Sequence, residues 1–152
     1  MLAGSREFTQ ESKVWKRRHG GDLISLYPYI LSSDYYFKQR IPKMGQYHEE
    51  AKELATLYNQ CQGVETMPVV PTSNMFHAHF NMPQEKLELI LIRIYKTTNV
   101  GLTSFLRATS DTTCYCEVSI GDLYSELPKD KVRTAFQQLD EEFRIHDTKT
   151  RG

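Results

Sequence analysis

The sequence predicts an α+β fold in which N-terminal helices precede a small, largely antiparallel sheet covered by helices. Three observations carry that prediction. Apolar side chains recur at three- and four-residue steps from Met44 to Cys61, which is the period of a helix. Phe76, Ala78, Phe80 and Met82 alternate with His77, His79 and Asn81, which is the period of a half-buried strand. Residues 75–143 then read strand, helix, strand, strand, helix. A chain of 152 residues is long enough to bury a real core.

Taken in order, Met1 to Gly4 are small and apolar and read as the end of a buried strand. Ser5 can cap the helix that follows, with Glu7 in its first turn. Phe8 and Trp15 lie on one face of this helix, and Gly20 ends it. Ile24 to Leu31 is apolar with Pro28 inside it, which predicts a kink or break there. A second helical stretch begins at Tyr35 and is interrupted by Pro42. The Met44 to Cys61 helix carries Glu49, Glu50, Lys52 and Glu53 on its other face, and Gly63 stops it. Val69-Val70 between Pro68 and Pro71 reads as a short extended piece. Pro83 and Glu85 open a helix with Leu87, Ile90, Leu91 and Ile94 as its buried stripe, ended by Gly101. Leu102 to Ala108 and Thr113 to Ile120 read as strands joined by the polar turn 109–112. Pro128 starts a last helix striped by Val132, Ala135, Phe136, Leu139 and Phe143, and the tail after Ile145 is expected to fray.

Composition narrows the function. Nineteen Lys and Arg balance nineteen Asp and Glu, so the basic excess of a nucleic-acid binder is missing. The longest apolar run, Leu89 to Ile92, is too short for a bilayer, and no signal-peptide pattern follows the first cations. Three cysteines without framework spacing fit a reducing cytosol, so the expected location is cytoplasmic.

The densest chemistry is Val14-Trp15-Lys16-Arg17-Arg18-His19-Gly20-Gly21-Asp22. Two readings of it stand side by side: a solvated helix end whose cations suit the dipole, or an anion clamp of arginine forks beside a glycine corner. His77 and His79 share one side of their strand, but no third ligand is suitably spaced, so an exposed sheet face outweighs a metal site. Cys114 and Cys116 share a face with Val118 and Ile120 and behave as buried thiols. Arg107 is the lone cation of its expected strand, facing either a rim or a pocket.

The segment Met1-Leu2-Ala3-Gly4-Ser5-Arg6-Glu7-Phe8, followed by Trp15-Lys16-Arg17-Arg18-His19-Gly20-Gly21, resembles the threonine aldolase and beta-eliminating lyase family. These are pyridoxal-phosphate enzymes of the aspartate aminotransferase fold. Tyr27-Pro28-Tyr29, the Asn74-Met75 strand and the Ile120-Gly121-Asp122 turn are similar to the C-terminal domain of a divergent branch. The resemblance implies the C-terminal part of a longer lyase acting on a beta-hydroxy or related amino acid. It places the end of the large cofactor domain at 1–32, a long connecting helix at 33–63, a small α/β C-terminal domain at 64–145 and a tail at 146–152.

The family's Schiff-base lysine would lie ahead of Met1, so pyridoxal phosphate would not be held covalently by this chain, and the chain alone would be inactive. Arg17 falls at the family's basic position, Gly20 and Gly21 in its glycine run, and Arg107 is the strand arginine available for a substrate carboxylate. His19-Gly20-Gly21-Asp22 departs from the commoner G-G-G-M-R-Q, so the family's next arginine has no counterpart. The implied partners are the missing N-terminal cofactor domain, a small amino-acid substrate and further copies in a homo-oligomer, with no nucleic acid and no membrane. The competing reading is a stand-alone small α/β ligand-binding or interaction module.

Overall fold

The structure, a computed structural model, describes residues 4–21 and 25–150, with side chains as far as His146. The chain divides into two units, Met1–Pro42 and Lys43–Gly152. The expected strand end at 1–3 and the residues at 22–24 lie outside the described residues.

The first unit holds two helices. In α1 (Arg6–Arg18) the Ser5 hydroxyl accepts from the Phe8 N–H at 3.1 Å, which satisfies one of the donors that a helix start leaves open. The second helix, α2, runs without interruption over Tyr27–Arg40. Pro28 therefore begins a helix where the sequence suggested a kink. In the first turn its missing N–H costs nothing and its fixed φ is already helical. No described residue of this unit is buried.

A 3-10 turn, Ile41–Lys43, separates α2 from α3 (Met44–Gln60), so the connecting segment 33–63 holds parts of two helices broken at Pro42. The second unit is built on a four-stranded antiparallel sheet in the order β1-β2-β4-β3, with β1 at Val64–Met67, β2 at Met75–Phe80, β3 at Arg107–Ala108 and β4 at Cys114–Ser119. The α+β class read from the sequence is the class observed. Helices α4 (Gln84–Thr98) and α6 (Lys129–Thr150) and the short α5 (Asp122–Ser125) complete the unit. Among the described residues no helix is long and apolar enough to cross a membrane.

One sheet face is buried beneath α3, α4 and α6, whose expected apolar stripes supply the core. Phe76, Ala78 and Phe80 alternate inward from β2, Cys114, Cys116 and Val118 from β4. Tyr58 of α3 is fully buried, edge-on to Phe76, Phe80 and Phe136 at ring distances of 5.9, 6.1 and 4.7 Å. Asn59 ties the end of α3 to β1: its amide donates to the Thr66 hydroxyl at 2.7 Å and its carbonyl accepts the Thr66 N–H at 2.8 Å. Those bonds explain how Thr66 is buried without penalty.

Four local expectations are corrected. Val69 and Val70 are exposed bends, and the extended segment is β1 before Pro68; a proline cannot donate to a sheet ladder. Asn99 rather than Gly101 ends α4, in the left-handed conformation at φ 57 that asparagine tolerates. The expected strand Leu102 to Ala108 is a strand only at Arg107–Ala108, because the Leu102 carbonyl accepts from the buried Tyr58 hydroxyl instead of a neighbouring strand. The backbone of α6 stays helical to Thr150 where fraying was expected, with no glycine or proline in the segment and an Arg144–Asp140 pair at 2.8 Å along it.

Burial sets the expected response to mutation. Leu139 is fully buried and Leu123 is 82% exposed. Leu139→Ala should destabilise by about 2–5 kcal/mol and Leu123→Ala by less than about 0.5 kcal/mol. Guanidinium unfolding midpoints at unchanged slope measure both, and equal shifts would contradict this core.

Candidate functional site

The cation cluster is a helix end built by a glycine corner. Gly20 takes φ 72, and its N–H donates to the Arg17 carbonyl at 3.3 Å while the Gly21 N–H donates to the Lys16 carbonyl at 2.8 Å. This is the paired closure that stops a helix with a left-handed residue just past its end. A Cβ on Gly21 would meet Lys16 Cγ at 2.8 Å. Both glycines are thus accounted for by chain geometry, without a ligand.

The two adjacent arginines differ. The Arg18 guanidinium lies over the Trp15 ring, 5.6 Å from its centroid, and Trp15 also stacks on His19 at 5.9 Å. Arg17 is exposed, and its guanidinium has no partner among the described residues. Lys13, Val14, Lys16, Arg17 and Arg18 line an open hollow of about 590 Å³. The arrangement offers one uncommitted fork to an anion. The helix dipole opposes an anion at this end, so any such binding rests on the side chain alone.

In the second unit Arg107 sits on the exposed edge strand. The register aligns Glu65, His79, Tyr115 and Arg107 in one row across all four strands, on the face away from the core. The next row holds Met67, His77 and Glu117. His79 stacks on Tyr115 at 5.5 Å with 16° between the rings, and His77 lies 5.5 Å from the same tyrosine. His77 Nε2 is 3.8 Å from a Glu117 carboxylate oxygen, an ion pair when the imidazole is protonated. His79 Nε2 is shielded from solvent and lacks a hydrogen-bond partner among the described residues.

A groove of about 1070 Å³ is lined by the polar Arg107, Tyr115, His77, Glu117 and Ser104 of this face and by apolar residues that include Leu54, Leu102, Phe105 and Leu123. Arg107 therefore faces a pocket. The sequence singled out His77, His79 and Arg107 but not Tyr115 or Glu117. Their signal was present, because they alternate with Cys114 and Cys116 and must oppose the buried thiols. Among the described residues no group of three or more His, Cys, Asp or Glu could hold a metal.

No family model and no curated protein matches the chain. Two solved structures do. One is a Listeria monocytogenes EGD-E protein provisionally named an L-allo-threonine aldolase, 50% identical over 93% of this chain, with a TM-score of 0.84. The other is an Exiguobacterium protein, strain 255-15, provisionally named an aromatic amino acid beta-eliminating lyase/threonine aldolase, 45% identical over 92% of this chain, with a TM-score of 0.81. Identity and fold together define an α+β segment of lyase type. The chain belongs to the threonine aldolase and beta-eliminating lyase family, and it spans 39% of the length of each of these structures.

The three cysteines are excluded as nucleophiles near neutral pH. Burial pushes Cys61 and Cys116 up to about 12 and Cys114 up to about 11, from an ordinary value of 9.0. A soluble alkylating reagent at pH 8 should label none of them in the folded chain and all three after denaturation. The unfolded chain releases these protons near pH 9 while the folded chain holds them to pH 11–12. The unfolded state therefore binds fewer protons in that window, and stability should fall as pH rises through it. Rapid labelling without unfolding would contradict the burial.

Proposed function

We propose that this chain forms the C-terminal part of a pyridoxal-phosphate-dependent lyase of threonine aldolase type. Its substrate would be a beta-hydroxy or related amino acid, and it would act in the cytoplasm as a homo-oligomer. The observation that carries this reading is the 50% identity, over 93% of the chain, with the Listeria protein named for L-allo-threonine cleavage.

The residues present fit the anionic parts of such a cofactor and substrate. Arg17 is an exposed guanidinium without a partner among the described residues, in the last turn of α1. It would hold the cofactor's or the substrate's anion. Arg107 would take a substrate carboxylate at the groove, beside the apolar side chains of Leu102 and Phe105. No described lysine is buried. A lysine that carries the cofactor must be held beside it and partly desolvated, so that residue would come from elsewhere in the polypeptide. When bound, the cofactor supplies the electron sink for cleavage next to the substrate's α-carbon. The competing reading, a stand-alone binding module, draws on the second unit's having a core of its own.

The chimera in which this chain replaces the matched part of the Listeria protein tests the assignment, with L-allo-threonine as substrate. Arg17→Ala removes a charge-assisted contact of about 2–4 kcal/mol and should lower kcat/KM by one to three orders of magnitude on that estimate. Arg18 is about 100° away on the helix and is committed to Trp15, so Arg18→Ala should cost less than about tenfold. Equal small losses would return the cluster to a solvated helix end.

A further inference from the structure

The apolar surface of the first unit is too large and too widely distributed to be ordinary exterior. Trp15 is 58% exposed, and Phe8 shares its face of α1. In α2, Tyr27, Tyr29, Ile30, Leu31, Tyr36 and Phe37 are all exposed. Monomers rarely present contiguous apolar surface on this scale.

The two helices need different cover. Phe8 and Trp15 share one side of α1, bordered by Glu11, with Lys13, Lys16 and Arg17 elsewhere around the helix. The apolar residues of α2 point to every side. At 100° per residue Tyr27 and Leu31 mark one side, Tyr29 and Tyr36 the opposite one, and Ile30 and Phe37 a third. Its first two turns, 27–33, carry no charge; the ion pair Asp34–Lys38 at 2.7 Å and Arg40 come only later. A helix apolar all round is one that protein encloses.

We infer that α2 is an inserted core helix and α1 a one-sided covering helix, and that the part of the polypeptide that the relatives carry beyond this chain's 39% is what buries them. This rests on the reading that the chain works as part of such a lyase. A second copy is the weaker occupant. A two-fold contact pairs one patch with itself and covers one face, leaving the remaining sides of α2 in water.

Hydrogen exchange tests the inference through a readout that does not depend on catalysis. In the isolated chain the amides of α1 and α2 should exchange at nearly the unprotected rate, while those of α3, β2 and β4 stay slow. In the chimera with the Listeria remainder, α1 and α2 should slow by about a hundredfold or more at every protein concentration. Protection of α2 in the dilute isolated chain, protection appearing only as concentration rises, or fast exchange of α2 in the chimera each overturns the proposal. Protection in a chimera without lyase activity supports the docking and removes the functional reading instead.

Should the chimera not fold, Ile30→Lys in the isolated chain decides. The proposal expects weaker binding of a hydrophobic dye and an unchanged melting temperature. A lowered melting temperature would show that α2 is already packed within this chain and would overturn it.

Discussion

The second unit depends on where the Tyr58 hydroxyl goes. Tyr58 is fully buried, and its oxygen cannot reach water, so it donates to the Leu102 carbonyl. That bond holds the segment after α4 to the core at Leu102; further along, β3 is two residues long and Phe105 is 85% exposed beside the groove. The ring fills the space between β2 and α6, touching Phe76, Phe80 and Phe136 edge-on. Desolvation raises the phenol's pKa well above its ordinary value, so it remains a donor across the physiological range.

The stripes that build this core were legible because burial on one face imposes a period. Tyr47, Ala51, Leu54 and Tyr58, and likewise Val132, Ala135, Phe136, Leu139 and Phe143, announce their helices by spacing alone. What was not legible came from competition between local and distant partners. Leu102 to Ala108 has strand chemistry, yet a tyrosine 44 positions away takes its carbonyl. The short α5 is fixed from α3 and the residue before it: Lys43 and Tyr47 both donate to Asp122 at 2.6 Å and Ser125 donates to Glu50 at 2.7 Å. No window around 122–125 contains that information. In the candidate site, Arg17 differs from Arg18 because Trp15 occupies the latter, a contact that composition treats as open to either.

The two units differ in how far their own residues satisfy them. In the second, apolar side chains meet one another and the sheet keeps its polar row, Glu65 to Arg107, on the opposite face. A self-supporting core can leave a cation such as Arg107 at a groove without relying on it for stability, which suits a binding role. In the first unit the same residue types stay exposed among the described residues, and the arginine cluster stands at the end of a helix none of whose described residues is buried. On the proposed reading, the chemistry is shared between a unit that folds on its own and one completed by the remaining polypeptide.

The most direct measurement of this division is thermal unfolding of residues 43–152 beside the whole chain. If the core around Tyr58 is self-sufficient, the shorter polypeptide should melt in one cooperative transition with a midpoint within about 3 °C of the longer one. A broad, non-cooperative transition, or a midpoint lower by about 10 °C or more, would mean that residues 4–42 help hold that core together, and would contradict the account.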